Sequence, residues 1–555
     1  MSSAPTKTDA DIVDSLSDEA APPSVDTCRD PLFGVLFFAH FVVLCFLAYV
    51  GTTLVSQALT VLNSLPGSEL ATAAAIDNAN ALSQRIDPRA LVAAVGVAVG
   101  AAAVSSAATL CLLQHAGGLL IRACFYVAIF GQLVCGAALL AYASIPAGIV
   151  LLCLGTFTFI YYLCVRGRIA FAAAHVEVAS AAMRNSPTIF GVGLLALLAQ
   201  AIWSVTWGLA AAGAGTYINS TSNSTATFAI VDPMPQLSSS DSGRITLIFL
   251  LLLSFFWVST FIHDVVSFTA AATTGDWWYK GEAERHPVRH ALCRAVTTSC
   301  GTLAFSSLIV ATVKAARKLY ELYLRQAKKS GELARNPLLQ ALACLGCIVL
   351  CCLERIVNFA NEWAVVMAAL RGGSFLSSGS SAWTLFKHRG WDLVVNSSLI
   401  NTALVAASLL GAALGALAGG AACYAVLGDV TANRALQAGV AATMCFFIGL
   451  FMTSVITAIV LSSTRAVFVA FASAPAALLR THPTHAIQLA KAWAEFHPNE
   501  WQQSGFAAKF GGALSPAGEF SSTGAAKGAA LTSDTGSHVV TNVVFRGGPM
   551  NAQSV

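Results

Sequence analysis

Charge is what this sequence has least of. Only 10% of its 555 residues are Asp, Glu, Lys or Arg, and 56% are hydrophobic. A soluble chain of this length carries charge at about a quarter of its positions. The mean hydropathy is +0.70. A net charge of +4, with no basic tail and no aromatic–basic surface, excludes nucleic acid as a partner. Enzyme motifs are missing as well: there is no H-E-x-x-H, no Walker loop, no G-x-S-x-G and no D-x-x-D-G cluster. Neither catalysis nor a cofactor nor a metal is expected. No cleavable leader is visible. The first 30 residues are polar and acidic (Asp9, Asp11, Asp14, Asp18, Glu19) and contain Pro22-Pro23, which predicts a disordered tail.

A secreted disulfide framework is also excluded. The 15 cysteines lie mostly inside apolar blocks, among them Cys45, Cys111, Cys124, Cys135, Cys153, Cys164, Cys423 and Cys445. Cys344, Cys347, Cys351 and Cys352 cluster at helical spacing with no nearby His. They read as packing or palmitoylation positions rather than a zinc site.

What the chain has is long apolar blocks. A spanning helix needs roughly 20 such residues. Blocks occur at about 33–55, 90–113, 118–142, 146–165, 188–213, 245–272, 296–313, 337–353, 393–427 and 434–463. The expected fold is all-α: a polytopic transmembrane bundle of about ten spanning helices over 31–485, between disordered tails at 1–30 and 486–555. From Gly505 onward Gly, Ala, Ser and Thr dominate. Stretches such as "AAVGVAVGAAAVSSAA" (93–108) let helices approach closely, because van der Waals packing replaces the hydrophobic effect in lipid.

Lys and Arg in short loops set orientation. The 166–186 and 273–295 connections are basic and read as cytosolic. The 214–243 connection carries two glycosylation sequons, at Asn219 and Asn223, and reads as extracellular. Both tails then fall in the cytosol. The segment 314–335, strongly basic and helical, breaks the scheme: alternation puts it outside and its charge inside, so either 296–313 and 337–353 dip without fully crossing or this connection is an exception.

Ionisable residues inside apolar blocks are functional by default. In "FFWVSTFIHDVVSF" (255–268), His263 and Asp264 stand mid-block. A carboxylate at the bilayer centre costs on the order of 2.5–3.5 kcal/mol on insertion scales. Trp257 is seven residues earlier and shares a helical face with Asp264. Aromatic face plus carboxylate is what a desolvated organic cation needs. The plainer reading is a shorter helix, 245–262, with the pair already in water. Trp203 and Trp207, four apart, form a second aromatic face that suits either a lining or an interface belt. Glu177 is the one acid in "RIAFAAAHVEVASAAM" and is expected to pair with Arg166 or Arg184. Glu354 and Glu362, eight apart, can share a face or be solvated.

At four places the chain resembles the choline transporter-like family, in particular its fungal and protist Pns1-like branch. In "NEWAVVMAALRGGSFLSSGSSAW" the family positions are Asn361, Trp363, Ala364, Ala368, Gly372, Phe375, Ser378 and Trp383, preceded by Leu353-Glu354. "GTLAFSSLIVA" is similar at Gly301 and Phe305 and departs at Thr302 and Ser306. "TTGDWWY" and "RIAFAAAHVEVAS", with Glu177, are the other two. The family often has Glu-Asp-Pro after its last helix, where this chain has Ser473-Ala474-Pro475, and often an amide near Asp264.

The resemblance implies a plasma-membrane carrier for choline or a related cation such as ethanolamine, feeding phospholipid synthesis. Its partners would be that cation and membrane lipids, with self-association open. The substrate-binding residues expected from the sequence are Trp257, His263, Asp264, Trp203 and Trp207. The rival reading is a membrane scaffold or sensor of the same fold, which has no reason to keep an intramembrane polar set.

Overall fold

In a computed structural model of the chain, residues 27–64, 88–142, 145–220, 242–329, 337–389, 392–427, 434–496, 498 and 501 are described. Among them there is no strand. The helices are α1 (Pro31–Ser64), α2 (Pro88–Tyr142), α3 (Ile145–Val165), α4 (Ile169–Asn185), α5 (Ile189–Ser220), α6 (Ser242–Lys280), α7 (Pro287–Val296), α8 (Cys300–Lys329), α9 (Pro337–Arg371), α10 (Phe375–Arg389), α11 (Asp392–Val426), α12 (Arg434–Ser473), α13 (Pro475–Thr481) and α14 (Pro483–Phe496). Nine stretches among the described residues are long and apolar enough to cross a membrane. They become ten if α7 and α8, which meet at 66°, count as one broken span. This is the polytopic bundle that the apolar blocks predicted. The chain falls into two compact units, 1–489 and 490–555, and of the second only the end of α14 and two further residues are described.

Two expectations about elements change. The blocks at 90–113 and 118–142 form one helix, α2, of 55 residues. At 1.5 Å per residue it reaches roughly 82 Å, well beyond one bilayer core. Nothing between the blocks breaks it: there is no proline, and Gly117-Gly118 serve close approach instead, with Ala173 of α4 packed against both. The basic segment, helical as expected, is not a separate connection: residues 314–329 are the last turns of α8, continuous with its apolar start.

Small residues set the closest contacts. Where α11 meets α12, a side chain on Gly419 would overlap Cys445. The Cys445 thiol in turn reaches the Ala94 carbonyl of α2 at 3.5 Å. Ser408 and Thr457 bond across the same pair of helices at 2.9 Å. The hairpin of α2 and α3 is tied by Tyr126 and Tyr162, oxygen to oxygen at 2.8 Å, and presents Phe130 and Phe157 outward, as a lipid-facing surface does. A second core joins α1, α5, α6 and α8 through Phe37, Leu44, Trp203, Trp257 and Ala304.

The break between α7 and α8 holds the start of the described chain. The Arg29 amide donates to the Thr298 carbonyl at 3.1 Å. The Asp30 carboxylate accepts from the Thr302 hydroxyl at 3.1 Å and from the Phe375 amide at 3.0 Å. It thereby caps α10, where a negative charge suits the helix dipole. Asp30 itself is left-handed, with φ 51°. Gly301 permits this contact, because any Cβ there would overlap the Arg29 and Asp30 carbonyls. Phe33 stacks on Phe305 at 4.0 Å, and Phe305 meets Phe375 edge-on at 5.4 Å.

Candidate functional site

A cavity of about 550 Å³ lies between α6, α8 and α9. Its walls run from Asp264 back to Phe256 on α6, from Lys314 to Glu321 on α8, and from Glu362 back to Glu354 on α9. It therefore extends from mid-bundle toward the end where α6 starts and α8 finishes. The helices that build it are long and apolar, so each polar side chain on them is placed by a rigid rod rather than by a loop.

Asp264 is the floor, and it is 2% exposed. The Asn361 amide donates to both of its oxygens at 3.1 Å, and the Ser306 hydroxyl donates at 3.1 Å. His263 Nδ1 stands 3.5 Å away. Among the described residues no Lys or Arg pairs with this carboxylate, so its charge is held by neutral dipoles. That arrangement sets an amide, a hydroxyl and an imidazole, and no Lys or Arg, against the carboxylate. Asn361 comes from the family-like stretch on α9. Ser306 is one of the two departures noted in "GTLAFSSLIVA" on α8, and its hydroxyl supplies the third hydrogen bond.

Glu362, next to Asn361, faces a different partner. It accepts from Arg465 of α12 at 2.6 Å, and Arg465 also donates to Ser397 at 3.3 Å. The guanidinium lies 6.0 Å above the Trp363 ring. On its other side a second cavity of about 260 Å³ opens between α6, α9, α11 and α12, and His263 and Glu362 line both. Along the upper wall, Arg317 pairs with Glu354 at 2.6 Å and with Glu321 at 3.1 Å, and Lys318 reaches Glu321 at 3.4 Å. Glu354 and Glu362 thus share the cavity face, and both carry ion pairs.

The tryptophans are elsewhere. Trp257 and Asp264 do both turn toward α8, but the Trp257 indole is buried, donates to the Ala304 carbonyl at 3.0 Å and packs on Phe37 and His40. Trp203 and Trp207 donate to the Phe255 and Leu251 carbonyls at 3.4 and 2.9 Å. All three join α1, α5, α6 and α8, and none lines either of these two cavities. The physical reason is that each indole N–H is answered by a carbonyl of the neighbouring helix, which ties the ring into the helix contact. The aromatic ring that does face the main cavity is Phe256.

The other sequence-derived positions sort by place. Gly301, Phe305 and Phe375 form the grip on Asp30. Gly372, with φ 71°, makes the turn from α9 to α10, and Ala364 packs buried near Gly379 of α10. Trp363 is buried edge-on to Phe386 at 4.8 Å. Glu177 accepts from Gln488 at 2.6 Å, not from the expected arginines. Asn223 lies outside the described residues, and of Asn219 only its place in the last turn of α5 is described. The cysteines form no disulfide, and among the described residues no group of His, Cys, Asp or Glu could hold a metal. Sequence reasoning missed Arg465. It is the one charge in 435–473, so the same rule that picked out Asp264 applied to it.

The profile of a family described as plasma-membrane choline transporter matches residues 149–476. A CTL-like protein of Dictyostelium discoideum is 25% identical over 375 residues, 66% of this chain and 58% of its own length. Proteins named PNS1 from Mycosarcoma maydis and Eremothecium gossypii are each 29% identical, over 164 and 270 residues. Those two alignments cover 30% and 46% of the relatives' lengths. The matched profile takes in α4 to α12 and with them every residue of the Asp264 cavity. The chain belongs to the choline transporter-like family.

Proposed function

We propose that this multi-pass membrane protein carries choline, or a related small organic cation such as ethanolamine, across the plasma membrane for phospholipid synthesis. One observation carries the reading: a buried carboxylate, Asp264, ends a large cavity and is held by an amide and a hydroxyl instead of by a cation. A quaternary ammonium has no N–H to donate, so it seeks an uncancelled negative charge and an aromatic face. Phe256 supplies the face, and Ser259, Thr260 and Asn358 offer partners for the hydroxyl end.

The cavity faces away from the end that carries the basic 166–186 and 273–295 segments. On the positive-inside rule it faces outward. A potential negative inside then favours cation entry by about 2.3 kcal/mol per 100 mV. The Glu362–Arg465 pair lies between this cavity and the second one. The family description and the relatives named PNS1 and CTL-like agree with a carrier.

The test is uptake of labelled choline by proteoliposomes under a clamped potential, with the native chain and Asp264→Asn. The expected result is saturable uptake that rises with inside-negative potential and is lost in the variant. No uptake by correctly folded protein would overturn the reading.

A further inference from the structure

The choline reading leaves one cavity residue unexplained. A site made for a lone monocation should carry surplus negative charge, and this one does not. Glu321 and Glu354 are engaged by Arg317 and Lys318, and Glu362 by Arg465. Two charged groups remain. One is Asp264 at the floor. The other is Lys314, half-buried on the α8 wall, which has no hydrogen-bond or ion-pair partner among the described residues. His263 lies beside Asp264 at 3.5 Å and lines the same cavity.

The two uncancelled charges are opposite in sign and separated along the cavity. Ser306, which holds Asp264, and Lys314 are eight residues apart on α8, about 12 Å along the axis. Both face one space, and the flexible lysine stem lets its ammonium lean toward the floor. A monocation bound at Asp264 would leave Lys314 unanswered in a partly desolvated cavity, and like charges there raise the cost of entry. A ligand with an ammonium at one end and an anionic group a few atoms away would answer both.

We infer that the cavity also takes zwitterions, namely small ammonium compounds bearing a carboxylate or a phosphodiester, with the ammonium on Asp264 and the anionic group on Lys314. This rests on the reading of Asp264 as the ammonium partner. Lys314 then sets specificity between the cation and its anionic derivatives. A zwitterion moves no net charge, so its uptake should not follow the membrane potential, whereas that of choline should.

The experiment measures uptake of labelled choline, glycine betaine and glycerophosphocholine by proteoliposomes of the full chain, and of Lys314→Met and Lys314→Arg. The native chain should take up at least one zwitterion, with no response to an imposed potential. Lys314→Met should raise the KM for that zwitterion roughly tenfold or more, as loss of one charge-assisted contact entails, and lower the KM for choline. Lys314→Arg should keep the zwitterion. Choline uptake without either zwitterion would overturn this inference and leave the choline reading standing. Uptake of none of the three would overturn both. An equal change for choline and zwitterion in Lys314→Met would also overturn it.

Discussion

Asp264 shows how one side chain can be buried and still remain chemically available. Three hydrogen bonds from Asn361 and Ser306 stabilise its charge without cancelling it. Asp264→Asn keeps the shape and removes the charge. We expect surface expression to persist and cation uptake to fall by about tenfold or more, measured with labelled choline. Arg465 is the opposite case, a buried cation that depends on a partner. Its side chain is 8% exposed. Glu362→Gln alone should cost roughly 3 kcal/mol by stranding the guanidinium. The double variant Glu362→Gln/Arg465→Met should recover most of that in thermal unfolding, because no charge is left buried alone. Trp257→Phe should lower the melting temperature and leave the KM for choline near the native value, since its indole touches Ala304, Phe37 and His40 and not the cavity. The sequence exposed Asp264 because an acid in an apolar block is conspicuous. It did not expose the role of Trp257, because sharing a face with Asp264 does not say whether a ring lines a space or fills it.

At the scale of elements, the spanning helices were legible, because blocks of about 20 apolar residues have few alternatives. Their ends were less so. The continuity of α2 was hidden by Gly117-Gly118, which punctuate a sequence but here admit α4. The basic end of α8 was legible as helix but its charge left its side of the membrane undecided; Arg317 and Lys318 are paired along the cavity wall. The break between α7 and α8 depends on Gly301. Gly301→Ala would push a methyl group into the Asp30 carbonyl, and strain of this kind costs about 1–3 kcal/mol; a lowered melting temperature is the readout. Near α13 a pH dependence follows from His482, which stacks on Trp277 at 4.0 Å. Burial, then the neighbouring His485, lowers its pKa from the ordinary value, and burial lowers that of His485 as well. A histidine kept neutral by folding contributes stability above its unfolded pKa, near 6.5, and loses it as pH falls toward the lowered folded value. Thermal stability should therefore decline as the solution is acidified below about 6.5, and His482→Gln should flatten that decline.

The whole molecule is a polytopic transporter-family bundle in which function is gathered on a few rods. α6, α8 and α9 carry the cavity, and α12 reaches in with Arg465. One more feature of α8 matters at this scale. Thr302 and Ser306 are one turn apart, the first held by Asp30 and the second holding Asp264. The chain's first described residues and its buried carboxylate therefore grip the same rigid helix within a single turn. We predict that the two grips are coupled through this turn, and thermodynamic reciprocity makes any such coupling equal in both directions. A solute settling on Asp264 should thus be felt as far away as the Arg29 amide, whose bond to the Thr298 carbonyl sits at the helix break. Deuterium exchange at residues 29–33, with and without choline, would let the tail act as a gauge of occupancy, read in water at the edge of the bundle.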